Sequence, residues 1–96
     1  EVISAADGFE AGLQVNHFKP DLLILDIMMP DIKGNEVCRK IKSNPDTKNT
    51  KIVVLSAYLD EEKFKEMKSH GADVCFSKPL PLPQLKEEVA RLLELQ

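Results

Sequence analysis

The chain has 96 residues, 43% of them hydrophobic and 30% charged, with a formal net charge of −3. That length suits one domain, and the longest wholly apolar runs, Leu22 to Leu25 and Ile52 to Leu55, fall far short of the roughly 18 residues that a bilayer span needs. The acidic balance leaves no basic field for a nucleic-acid backbone or an anionic membrane, and the apolar content argues against disorder.

Val2 to Ala5 reads as a first, weak strand. Asp7-Gly8 supplies a turn and a cap, and Ala11, Val15 and Phe18 then recur at i, i+4 and i+7 on one face of a helix that Pro20 ends. Asp21 to Ile27 holds Leu22, Leu23, Ile24, Leu25 and Ile27 without alternation, the pattern of a central parallel strand buried on both faces. Pro30 and Gly34 mark a loop, and Val37, Cys38 and Ile41 predict a second helix from about Asn35 to Ser43, closed by Asn44-Pro45-Asp46. Lys51 to Ser56 repeats the doubly buried strand pattern with Ile52, Val53, Val54 and Leu55. Asp60 can cap a third helix carrying Phe64 and Met67, with Gly71 placed to end it. Ala72 to Ser77 forms the last strand. The prolines at 79, 81 and 83 then delay a closing helix built on Leu85, Val89, Leu92 and Leu93.

The resulting order, βαβαβαβα, implies an α/β fold: a doubly wound parallel sheet with right-handed crossovers and helices on its faces. No internal repeat or linker divides it, so residues 1-96 read as one domain. Cys38 and Cys75 lie in apolar surroundings with no CxxC spacing and no adjacent histidine, which predicts two reduced core thiols in a cytoplasmic protein. No export signal stands at the N-terminus.

Ligands of open parallel sheets gather at the carboxyl ends of the strands. Three polar residues occupy those ends: Asp26, Ser56 and Lys78. Singly, each has a plain structural explanation, an ion pair between Asp26 and Lys78 and a backbone hydrogen bond from Ser56. Together, a carboxylate, a hydroxyl and an ammonium group suit a transferring phosphoryl group, whose chemistry asks chiefly for positioning and neutralisation of charged oxygens. A carboxylate can itself be the acceptor.

At these residues the sequence resembles the receiver domain of two-component response regulators. The resemblance rests on Ala6-Asp7-Gly8 with Glu10-Ala11, Pro20 to Pro30 with Asp26 at its centre, Gly34, Leu55-Ser56-Ala57, Gly71-Ala72-Asp73 and Lys78-Pro79-Leu80, in the family's order and spacing. It implies a flavodoxin-like sheet. It also implies that Asp26 is the phosphoacceptor and a magnesium ligand, that the Met28 backbone carbonyl is a second ligand, and that Ser56 and Lys78 engage the phosphate. The donor would be a histidine kinase or a histidine phosphotransfer protein, and the bond before Pro79 would be cis. Phosphorylation would shift a surface formed by the last two helices and the last strand, with an output domain or self-association reading that shift.

Two features depart from the family. The aromatic residue expected three positions before the lysine is Cys75, too small to report the position of Ser56 in the same way. The acidic pair that completes the magnesium site belongs to a first strand, and the 25 residues before Asp26 have room for a single strand-helix step. Glu1 and Asp7 do not align with that pair. The expectation is therefore a receiver lacking its first strand and first helix, as part of a longer one, with weak magnesium binding. In the order 2-1-3-4-5 the absent strand lies between the first strand here and the Asp26 strand, leaving a gap to be closed by direct pairing, exchange with another copy, or poor packing.

The remaining candidates read as structural. His17 and His70 share no ligand spacing, Met28-Met29 serves packing, and Lys63, Lys65 and Lys68 interleave with Glu61, Glu62 and Glu66 as a solvated face. The leading function is a phosphorylation-dependent switch. The alternative is a degenerate receiver that acts as a phosphorylation-independent interaction module. An aspartyl-phosphate hydrolase fits less well, because Met28 stands where such enzymes place a second carboxylate.

Overall fold

The computed structural model describes residues 1–28 and 32–94. Four strands, β1 (Val2–Ala5), β2 (Leu22–Ile27), β3 (Lys51–Ser56) and β4 (Val74–Ser77), alternate with four helices, α1 (Gly8–Phe18), α2 (Ile32–Ser43), α3 (Glu61–Ser69) and α4 (Leu82–Glu94). The expected loop around Pro30, like Met29, lies outside the described residues. No helix among those described is long and apolar enough to cross a membrane.

All strand pairs are parallel, in the order β1-β2-β3-β4. β1 runs beside β2 from Val2↔Leu22 to Ala5↔Leu25, so the anticipated gap is closed by direct pairing of the two edges. A parallel sheet that grows in one direction puts every right-handed crossover on the same side. Accordingly α1, α2 and α3 cover one face, where Leu23, Leu25, Ile52, Val54 and Cys75 meet Ala11, Val15, Cys38, Ile41 and Met67. α4, which follows the last described strand, covers the other face. There Leu22, Val53 and Leu55 are buried with Leu92, and Leu85, Val89 and Leu93 pack around them half-buried.

Local chemistry sets the helix ends. Asp7 is extended and its side chain accepts from the Glu10 amide at 2.8 Å, while Asp60 accepts from the Lys63 amide at 2.7 Å, two side-chain N-caps. α1 ends on Lys19 in the left-handed region (φ 47), its amide donating to the Val15 carbonyl. After α3, Gly71 has φ 117, and a Cβ there would come within 2.8 Å of Lys42 Cγ, so both backbone and space call for glycine.

Some boundaries differ from the sequence reading. α2 begins at Ile32, not near Asn35, because Gly34 is helical: the chain packs backbone against backbone here, and a Cβ on Gly8 would lie 2.8 Å from the Lys33 carbonyl oxygen. β2 starts at Leu22 and β4 at Val74, one and two residues later than expected. Phe18 does not join the core face of α1, since it falls in the last turn and remains 51% exposed. In α4, Pro83 occupies the first turn, where its missing N–H has no helical partner to lose.

Candidate functional site

The carboxyl ends of β2, β3 and β4 are sewn together by backbone hydrogen bonds. The Met28 carbonyl, just past β2, accepts from the amides of Ala57 at 3.0 Å and Tyr58 at 3.1 Å, while the Ser56 carbonyl accepts from the Lys78 amide at 2.9 Å. This stitching brings Lys78 beside Asp26, and the Lys78 Nζ pairs directly with Asp26 Oδ1. The pair is open to solvent, with Asp26 49% and Lys78 36% exposed. The Lys78–Pro79 peptide is cis.

Ser56 is fully buried and engages neither member of that pair. Its hydroxyl donates to the Met28 carbonyl at 3.0 Å and accepts from the Tyr58 amide at 3.2 Å. Strand register explains the separation. Asp26 lies opposite Leu55 and so shares the face covered by α4, whereas Ser56 lies opposite Ile27 on the face covered by the other three helices. The structure thus joins two of the three expected groups side by side and places the third across the strand end, linked through Met28.

The Met28 carbonyl carries three donors, the Ser56 hydroxyl and two amides, so both its lone pairs are engaged. The Asp26 carboxylate has its charge met by Lys78. Among the described residues no group of three His, Cys, Asp or Glu side chains could hold a metal ion. Hard divalent cations take several oxygen ligands, and the described residues do not fit one.

Cys75 is buried on the crowded face and borders a hollow of about 310 Å³ that it shares with Leu59, Asp60 and Phe64. Burial pushes its thiol up to about 11. Cys38 is pushed up to about 12, first by burial and then by the neighbouring Cys75. Both groups stay protonated and inert at neutral pH, as expected of core thiols.

Two polar links were invisible in the sequence. Asp73 Oδ2 accepts from Lys42 Nζ at 2.8 Å and from the Ile52 amide at 2.7 Å, while Lys68 Nζ donates to the Asp73 carbonyl, tying α2 and α3 to the start of β3 and β4. Asn35, buried in α2, donates to Glu66 of α3 at 2.5 Å, and its Oδ1 has no partner among the described residues. Each pair is 31 positions apart, beyond the reach of any local pattern. Lys68 is accordingly more than part of a solvated face.

Residues 1–90 match the family described as the response regulator receiver domain. The chain is 36% identical over 93 residues to the phosphate regulon transcriptional regulatory protein PhoB of Rhizobium meliloti, covering 97% of this chain and 41% of that protein. It is 28% identical to sporulation initiation phosphotransferase F of Bacillus subtilis, over all of this chain and 76% of that one. Among solved structures, the signal receiver domain of a DNA-binding response regulator from Colwellia psychrerythraea superposes with a TM-score of 0.77 at 33% identity, covering 94% of this chain and 73% of that one. The receiver domain of a NarL regulator from Mycobacterium tuberculosis gives 0.85 at 16% identity, with coverages of 99% and 96%, a likeness of fold.

Proposed function

The chain belongs to the response regulator receiver family, and from that premise we propose that Asp26 accepts a phosphoryl group from a phosphohistidine of a kinase or phosphotransfer protein. Receiver domains act as phosphorylation-dependent switches and generally bind magnesium at the phosphorylation site. The observation that carries the reading is the ion pair between Asp26 and Lys78 at the carboxyl edge of the sheet.

A carboxylate oxygen of Asp26 attacks phosphorus, the bond from phosphorus to the donor nitrogen breaks, and the product is an acyl phosphate with its charge beside the Lys78 ammonium. The exposure of the pair leaves Asp26 accessible to an incoming donor. Because a half-exposed ion pair contributes only about 0–1 kcal/mol to stability, its placement is better explained by chemistry than by folding. The described residues do not by themselves make a magnesium site. Ser56 would reach the phosphoryl group only by giving up the Met28 carbonyl. The response would pass to the surface of α3, β4 and α4, in the cytoplasm, where the kinase and any output partner would meet it.

Incubation with a small acyl phosphate and magnesium, followed by mass spectrometry, tests this. One phosphoryl mass should be added at Asp26, Asp26→Asn should abolish it, and Lys78→Ala should slow it by about a hundredfold. Failure to form an adduct favours a phosphorylation-independent interaction module, a reading that the buried Cys75 supports.

A further inference from the structure

The outer surface of α1 and α2, which cover the face of the sheet opposite Asp26, combines an apolar ridge with an apolar groove. Phe9 is 75% exposed and Leu13 59%, one helical turn apart on α1. With Gly12 and Val37 they line a groove of about 430 Å³, which Lys33, Glu36 and Lys40 of α2 also border. Gly12 leaves this groove open, for a Cβ there would meet nothing closer than Val37 Cγ2 at 3.5 Å. Neither the Glu36 nor the Lys40 side chain has a partner among the described residues.

We propose that this face binds a second copy of the same chain, Phe9 and Leu13 of each copy filling the groove over Gly12 and Val37 of the other, with Glu36 of each opposite Lys40 of the other. The argument is self-complementarity. A two-fold interface uses one patch twice, so the patch must contain both the projecting and the receiving part. Here the two lie side by side. Opposite charges four residues apart on one helix face satisfy the same condition, because an antiparallel copy of α2 centred between them sets each glutamate against a lysine. An exposed phenylalanine and leucine beside an open groove have the character of an interface rather than of scattered surface residues. Helices of 11 and 12 residues are roughly 16–18 Å long, which makes the contact a small one and weak, reversible association the expectation.

Sedimentation equilibrium of the purified chain across micromolar concentrations tests this. The expected result is a monomer–dimer equilibrium that Phe9→Asp weakens by about tenfold or more. Glu36→Lys and Lys40→Glu should each weaken it alone, and an equimolar mixture of the two variants should restore it as a heterodimer, an outcome that loss of folding cannot mimic. A chain that stays monomeric, a dimer indifferent to Phe9→Asp, a mixture that fails to associate, or a dimer lost with Leu82→Asp on α4 instead would each overturn the proposal.

Discussion

The two faces of the sheet are held by different amounts of the chain. On one, three helices enclose Leu23, Leu25, Ile52 and Val54 completely, and polar ties from Asp73 and Asn35 bind the helices to the strands and to each other. On the other, α4 alone covers Leu22 and Val53, while Ile24, Leu85, Val89 and Leu93 border a groove of about 370 Å³ that opens beside Val2. Asp26 projects on the thinly covered face. The contrast teaches that fold stability and the candidate chemistry are placed on opposite sides of one strand, so changes to each should separate experimentally.

Truncation gives the largest expected difference. Leu23→Ala on the crowded face should lower the unfolding free energy in urea by about 3 kcal/mol, against about 1 kcal/mol for the half-buried Leu85→Ala on the α4 face. Equal losses would erase the contrast. Next, Asp73→Ala should cost about 2 kcal/mol, because the Ile52 amide loses its acceptor and Lys42 loses its ion-pair partner, keeping only the Thr50 carbonyl.

The crowded face should also make stability fall in alkali. The unfolded thiols titrate near 9.0, whereas Cys38 and Cys75 hold their protons to about 12 and about 11 when folded. The unfolded state therefore releases protons first, so stability that is complete below about pH 9 declines as the pH rises toward the folded values. Cys38→Ala should shallow that decline in urea titrations at successive pH values, and both thiols of the native chain should resist a thiol reagent at pH 8 until urea is added. Removing the α3 cap with Asp60→Ala should cost about 1 kcal/mol. Asp26→Asn should change stability least, within about 0.5 kcal/mol, while removing the phosphoryl adduct altogether.

Much of this architecture was legible in the linear order of residues. Periodicity located all four strands and four helices, with β1 and β3 matching their expected limits, and the acidic caps at Asp7 and Asp60 and the turn at Gly71 acted as read. These are local decisions, made by backbone geometry and by side chains within a few residues. The start of α2 escaped because Gly34 ordinarily signals a turn, and the close approach of the first turn of α2 to Gly8 is a contact that no local pattern shows.

For the site, the sequence pointed to Asp26, Ser56 and Lys78 as candidates at three strand ends, and it could do so because strand order alone brings those ends to one edge. Which of them touch was decided by register. Parallel pairing of Asp26 with Leu55 and of Ile27 with Ser56 turns the carboxylate and the hydroxyl to opposite faces, while the bond from the Lys78 amide to the Ser56 carbonyl carries the ammonium to Asp26. The direct pairing of β1 with β2, the Asp73 and Asn35 ties, and the engagement of the Met28 carbonyl were likewise settled in three dimensions. They join residues about 20 to 31 positions apart, where partner choice depends on how the whole sheet closes rather than on any pattern along the chain.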